Sequence, residues 1–125
     1  MGKRWFAILG TLVGLIMITP VYAHHGSAGY DASKSLNITG TVVAYNFTNP
    51  HVLISVDVKD ASGNIAKWQG ELTSPNRLSR AGWTKNTLKP GDQVSLTGTP
   101  ANSGAPTMII HKVVKDGQEI DLGSE

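Results

Sequence analysis

The chain has 125 residues, of which 40% are hydrophobic and 16% charged, with 11 Lys and Arg against 9 Asp and Glu and no cysteine. That length supports one small domain with one modest core. The missing thiols exclude disulfides, thiolate metal sites and cysteine nucleophiles, and the near balance of charge speaks against a nucleic-acid partner, which needs clustered Lys and Arg.

Lys3 and Arg4 open the chain with positive charge, and an uncharged run of 15 residues follows from Trp5 to Thr19. Pro20 and the small residue Ala23 come next. A charged start, a short apolar run and small side chains before the cut make a secretory signal peptide, residues 1–23. The rival reading, a permanent anchor, needs roughly 18–20 apolar residues to cross a bilayer. Cleavage after Ala23 would leave 102 residues beginning at His24, with nine basic and nine acidic side chains. The expected location is the periplasm or the exterior, with no membrane-embedded segment after cleavage.

Residues 24–35, "HHGSAGYDASKS", are small, polar and aperiodic, which reads as an arm. The expected domain spans 36–122. "LNITGTVVAY" places Leu36, Ile38, Val42 and Ala44 on one face and Asn37, Thr39 and Thr41 on the other, the alternation of a half-buried strand. Gly40 suggests a bend or bulge there. "HVLISVDVKD" alternates strictly, with Val52, Ile54, Val56 and Val58 inward and His51, Leu53, Ser55 and Asp57 outward. "ASGN" is a hairpin turn. "IAKWQGEL" forms a third strand, with Ala66, Trp68, Gly70 and Leu72 on one side and Lys67, Gln69 and Glu71 on the other.

The one helical signal is "TSPNRLSRAGW". Ser74 suits the N-cap, Pro75 the first helical position and Gly82 the C-terminal stop, and Trp83 is expected to pack back on the barrel end. "LKPGD" is a tight turn, "QVSLTGT" a fourth strand burying Val94 and Leu96, and "TMIIHKVV" a fifth strand that is apolar on both parities. "KDG" is a turn and "QEIDL" a terminal extension. The fold class that follows is all-β, a small five-stranded OB-like Greek-key barrel with one short helix between strands 3 and 4. An immunoglobulin-type sandwich would want about seven strands and no mid-chain helix.

Four histidines carry the chemistry: His24, His25, His51 and His111. A histidine freed at the amino terminus offers an amine that titrates at about 8 and an imidazole that titrates at about 6.5, two nitrogens able to chelate one ion. A second mode uses the amine, the backbone nitrogen of residue 25 and the ring of His25. Nitrogen-rich sites favour copper among the divalent first-row ions. A firm site needs a ligand from the folded body, and His51, outward at the start of strand two, is that candidate; the expected metal set is His24, His25 and His51. The plain reading is that the His pair only makes the cleavage site accessible and that His51 caps a loop.

A second class of function is a barrel that binds a small polar ligand or an envelope partner, with the histidines incidental. Tyr30, Tyr45, Phe47, Trp68 and Trp83 could build an aromatic face, although Trp68 and Trp83 read first as core and cap. Glu71 and Trp83 are the ligand-binding candidates of that reading. The mixed charge of the strand 2–3 face does not suit single-stranded nucleic acid. No nucleophile elbow or phosphate loop stands in the mature chain, so a binding protein is expected rather than an enzyme.

"AHHGSA" after the leader, "TNPHVLISVDVKDASG", Trp68 and Glu71, "SPNRLSRAGWTKNTLKPGDQVSLTG" and "KDGQEI" together resemble a domain-of-unknown-function family of short exported proteobacterial proteins. The matching positions are His24, His25, Asn49, Pro50, His51, Trp68, Glu71, Ser74, Pro75, Gly82, Trp83, Pro90, Gly91 and Asp92. The resemblance implies an exported OB-like domain, and it implies no activity.

Overall fold

A computed structural model describes residues 27–123. The leader, its cleavage point, His24 and His25 lie outside the described residues. A single 3-10 turn at Ser27–Gly29 leads into β1 (Leu36–Asn46), β2 (Leu53–Lys59), β3 (Ile65–Glu71), α1 (Pro75–Arg80), β4 (Gln93–Pro100), β5 (Thr107–Lys115) and β6 (Gln118–Ile120). The sheet order is β3-β2-β1-β4-β5-β6, and a further pairing of β3 with β5 closes the first five strands into a barrel. The closing pair is parallel; the strand pairs along the sheet order are antiparallel. This is the expected OB-like arrangement, with the helix between β3 and β4.

Alternation places the core as anticipated along β2, where Ile54 and Val56 are buried, as is Val52 just ahead of them. Val42, Val94, Leu96, Met108 and Val113 join them from the other strands, with Leu78, Trp83 and Leu88 from the α1 region. Among the described residues no polar or charged residue is buried, and the buried Trp83 brings an indole N–H that has to find a partner.

Two bulges alter the expected parity. In β1 the register shifts between Val42 and Ala44. Val43 is left 42% exposed, and Tyr45, not Ala44, turns toward the core, where its ring lies 6.3 Å from Trp83. One extra residue in one strand exchanges inward and outward beyond it. The bulge falls where β1 leaves β4, whose last pair is Thr41 with Gln93. It does not fall at Gly40, whose role is close approach: a Cβ there would stand 2.5 Å from the carbonyl oxygen of Asp57. In β5 the pairing skips from Lys112 to Ile110. His111 is the extra residue, which explains why Ile110 and Val113, three apart, are both buried.

Three other departures have simple causes. Ala66 is exposed, not inward, because β5 starts pairing with β3 only at Gln69 and the β2–β3 hairpin projects beyond the closed part. The terminal extension becomes β6, an antiparallel strand on β5. The arm is fastened from residue 28 onward. Asn102 donates to the carbonyls of Ala28 and Gly29, and the Asp31 amide donates to Pro100.

Helix α1 follows its local signals. The Ser74 hydroxyl accepts from the Arg77 amide at 3.4 Å and Pro75 takes the first helical position. Gly82, at φ +92°, ends it, and the Trp83 amide bonds back to Leu78. The Trp83 indole N–H donates to the Asp121 carbonyl at 2.6 Å. Burial pushes the Tyr45 hydroxyl up to about 12, so it stays protonated and donates to the Thr84 carbonyl at 2.8 Å.

The "LKPGD" turn is bonded into β1: the Gly91 amide donates to Val42 and the Val42 amide to Asp92. The Asp92 carboxylate accepts from the Lys89 amide at 2.9 Å and pairs with Lys115 at 3.0 Å. The amide of Lys89 first, and then the Lys115 ammonium, hold this carboxyl below the usual carboxylate range. A lowered folded value means stability that is present above the unfolded value and is lost as pH falls through the folded one. Asp92→Asn is therefore expected to flatten the acid limb of a stability-against-pH curve below about pH 4, read by urea midpoints at successive pH values. Gly98 gives a second test. A Cβ on it would collide with the Ile109 carbonyl across the β4–β5 ladder. Gly98→Ala should cost about 1–3 kcal/mol by overpacking, whereas the exposed Val43→Thr should stay within about 0.5 kcal/mol.

Candidate functional site

His51 stands in the connection between β1 and β2, one residue before the buried Val52. The Val52 amide donates to the Thr73 carbonyl, and the Leu72 amide donates to Val52. This pairing extends the β2–β3 ladder past the ends of both strands. Alternation then puts His51 and Glu71 on the outer face. The His51 Nδ1 to Glu71 Oε1 distance is 2.6 Å, with the side chains 47% and 32% exposed. Glu71 sits on a rigid base, since its residue pairs with Leu53 of β2 on one side and Ile109 of β5 on the other.

A carboxylate only accepts, so Nδ1 must carry the hydrogen in this contact. In the neutral ring that leaves Nε2 as the lone-pair nitrogen. A carboxylate that fixes an imidazole in this tautomer is the usual companion of a metal-ligating histidine. Sequence reasoning proposed Glu71 as a ligand-binding residue. The structure makes it the partner of His51. The pairing of Lys59 with Ile65 brings Leu53 opposite Glu71, and His51 lies one alternation further on the same face; that register encloses five residues, 60–64, whereas a turn of "ASGN" alone pairs Asp60 with Ile65 and sets Leu53 opposite Leu72.

The other candidates lie elsewhere. Trp83 is 2% exposed and its N–H is engaged by Asp121, so it supports the barrel end. Tyr45, Phe47 and Trp68 pack against the core. His111, on the β5 bulge, has Nε2 at 2.7 Å from the Thr99 hydroxyl. Among the described residues no three of His, Asp and Glu gather in one place, so His51 is not joined by His111. The outward β2–β3 face also carries Leu53, Ser55, Gln69 and an Asp57–Lys67 pair at 3.3 Å, an exposed contact of the kind worth about 0–1 kcal/mol.

A protein-family model described as "Family of unknown function (DUF6152)" matches residues 14–110. No curated protein matches the chain. Among solved structures, the mitochondrial single-stranded DNA binding protein Rim1 from S. cerevisiae is similar, with a TM-score of 0.52 at 9% identity, covering 66% of this chain and 93% of that one. At that identity the likeness concerns the fold. No helix among the described residues is long and apolar enough to cross a membrane.

The geometry makes a direct prediction about the ring. Long-range 15N–1H spectra of the neutral form should show His51 as the Nδ1–H tautomer, the reverse of the preference of a free imidazole. Glu71→Gln should shift it toward a mixture while leaving the dispersion of the amide spectrum unchanged.

Proposed function

Because the chain belongs to DUF6152, a family of unknown function, we propose its role from its own residues: an exported, periplasmic OB-like binding protein that holds a transition metal, copper above all, through His51 and an amino-terminal histidine. The observation that carries this reading is the 2.6 Å contact between His51 Nδ1 and Glu71 Oε1. It leaves one imidazole nitrogen free, in a fixed tautomer, on a rigid strand pair. Imidazole suits copper, zinc and nickel, and copper(II) binds tightest in that series.

One protein ligand makes a weak site. His24 with its freed α-amine, or the amine with His25, would supply the rest after cleavage at Ala23. Ala28, tied to Asn102, stands four Cα steps from His24, a reach of up to about 14 Å when extended. The same β4–β5 connection accepts from the Gln69 amide through Pro106. Glu71 lies two residues beyond Gln69, about 7 Å along the strand. In this reading Glu71 is a positioning residue: it touches the ring of His51 and not the ion.

Single-stranded DNA, which Rim1 is named for binding, is a poorer fit. The outward β2–β3 face presents Asp57 and Glu71 with one lysine already paired to Asp57, and phosphates would meet carboxylates there.

The test uses protein processed from the full precursor. Mass spectrometry should find His24 as its first residue. Copper(II) titration by competition should then show tight binding that falls at least about tenfold in His51→Ala, in a chain with one extra alanine before His24, and in Glu71→Gln, as loss of an outer-shell partner commonly costs 10–100-fold. Equal affinity in all four proteins would sink the metal site and leave the reading of a small polar ligand or an envelope partner.

A further inference from the structure

Residues 72–91, between Glu71 at the end of β3 and Asp92 just before β4, hold four cations, Arg77, Arg80, Lys85 and Lys89, and no Asp or Glu. The stretch crosses one end of the barrel as a strap. It begins where the Val52 amide donates to Thr73 and finishes where the Gly91 amide donates to Val42, and midway the Tyr45 hydroxyl donates to the Thr84 carbonyl. Leu72, Leu78, Trp83 and Leu88 are buried, so apolar side chains pin the strap down and its four cations are left exposed. Among the described residues none of the four is paired with a carboxylate, whereas Lys34, Lys67, Lys112 and Lys115 all are. The acids at the margins are engaged: Glu71 by His51, Asp92 by Lys115 and the Lys89 amide, Asp121 by the Gly123 amide. Residues 24–125 balance nine basic against nine acidic side chains, yet four of those nine cations stand unanswered on one strap.

What such a surface can hold follows from what it lacks. The centre of a protein–protein interface is enriched in aromatic anchors, and a single-stranded nucleic acid needs aromatic faces to stack on. Between its cations the strap exposes Asn76, Ser79, Gly82, Thr84, Asn86 and Pro90. The exposed large hydrophobic residues, Val43 and Ile65, lie on β1 and β3 instead. Charge is therefore the strap's main attraction. Spread along residues 77–89 and not gathered at one point, it answers an extended field of anions better than a single phosphate. Arg77 and Arg80 also sit in the last turn of α1, where cations favour the negative helix end, but that accounts for neither Lys85 nor Lys89. We propose that this basic strap docks the protein on an anionic phospholipid surface, as a peripheral contact without apolar insertion. Each Lys or Arg held near such a surface multiplies partition by about five. Four together give a weak, reversible attachment that salt screens. The strap includes neither His51 nor the amino-terminal histidines, so the docking does not rest on the metal reading.

The experiment floats protein recovered from cells expressing the full chain with phosphatidylcholine vesicles, made with and without phosphatidylglycerol. At low ionic strength the protein should partition onto the anionic vesicles and not onto the neutral ones. Salt at about 1 M, where the screening length is about 3 Å, should release it. Arg77→Gln/Arg80→Gln and Lys85→Gln/Lys89→Gln should each lower partition by about 25-fold. The control Lys34→Gln/Lys59→Gln removes equal charge from the arm and from the end of β2 and should leave partition within about twofold. All six side chains are exposed, and retained amide dispersion will show that the variants fold. A spin-labelled lipid should attenuate the amides of residues 77–89 before those of the β2–β3 turn. Equal binding to neutral vesicles, an equal loss in the control, strap variants that bind like the parent, or attenuation centred away from the strap would each overturn the proposal. So would binding to polyglutamate without binding to vesicles, which would point to an acidic protein instead.

Discussion

Gln69 with Thr107, Gly70 with Met108 and Glu71 with Ile109 are the three residue pairs that turn an open sheet into a barrel. They are the parallel contact in a set of antiparallel ladders, and Gly70 is the residue that permits them. A Cβ on Gly70 would run into the Ile110 side chain, so the glycine makes room for the isoleucine that fills the core beside it. Everything near the candidate site hangs on this seam. Glu71 is held between two strands only because the seam is closed, and a fixed Glu71 is what orients the ring of His51. The chain leaves β3 directly into Ser74 and α1, so the basic strap starts from the same closure.

Much of this was legible from residue spacing. Strict alternation along β2, the breaker-rich turns and the Ser74-Pro75 start of α1 each report on their own few residues, and local signals of that kind survive into the fold. Parity beyond a bulge does not. Nothing around Val43 or His111 announces an extra residue, because a bulge is set by the partner strand's register and not by the bulged residues themselves. Gly40 and Gly98 illustrate the same limit. A glycine in a strand signals either a bend or a close approach, and only the neighbouring chain, Asp57 or Ile109, decides which.

The site was half legible for a related reason. Outward parity for His51 and Glu71 follows from alternation alone. Their contact requires the hairpin register, and a turn read as the four residues "ASGN" misses by one the five-residue connection that Lys59 and Ile65 enclose. The strap's charge stands in the sequence, but its lack of partners does not, since whether Glu71, Asp92 or Asp121 answers it depends on contacts made across the fold. The fold itself hosts unrelated functions. A barrel like that of a single-stranded DNA binding protein here presents carboxylates and a carboxylate-bound imidazole on the β2–β3 side, so its chemistry has to be taken from its side chains.

The bond from the Trp83 indole to the Asp121 carbonyl ties the last described stretch of chain to a side chain at the heart of the barrel end. It gives the protein a built-in optical gauge. An indole sealed from water emits toward the blue, and one that is wetted emits toward the red. Whatever lifts residues 121–123 away would expose this ring and announce itself in the fluorescence, without any label, against a steadier background from the half-covered Trp68.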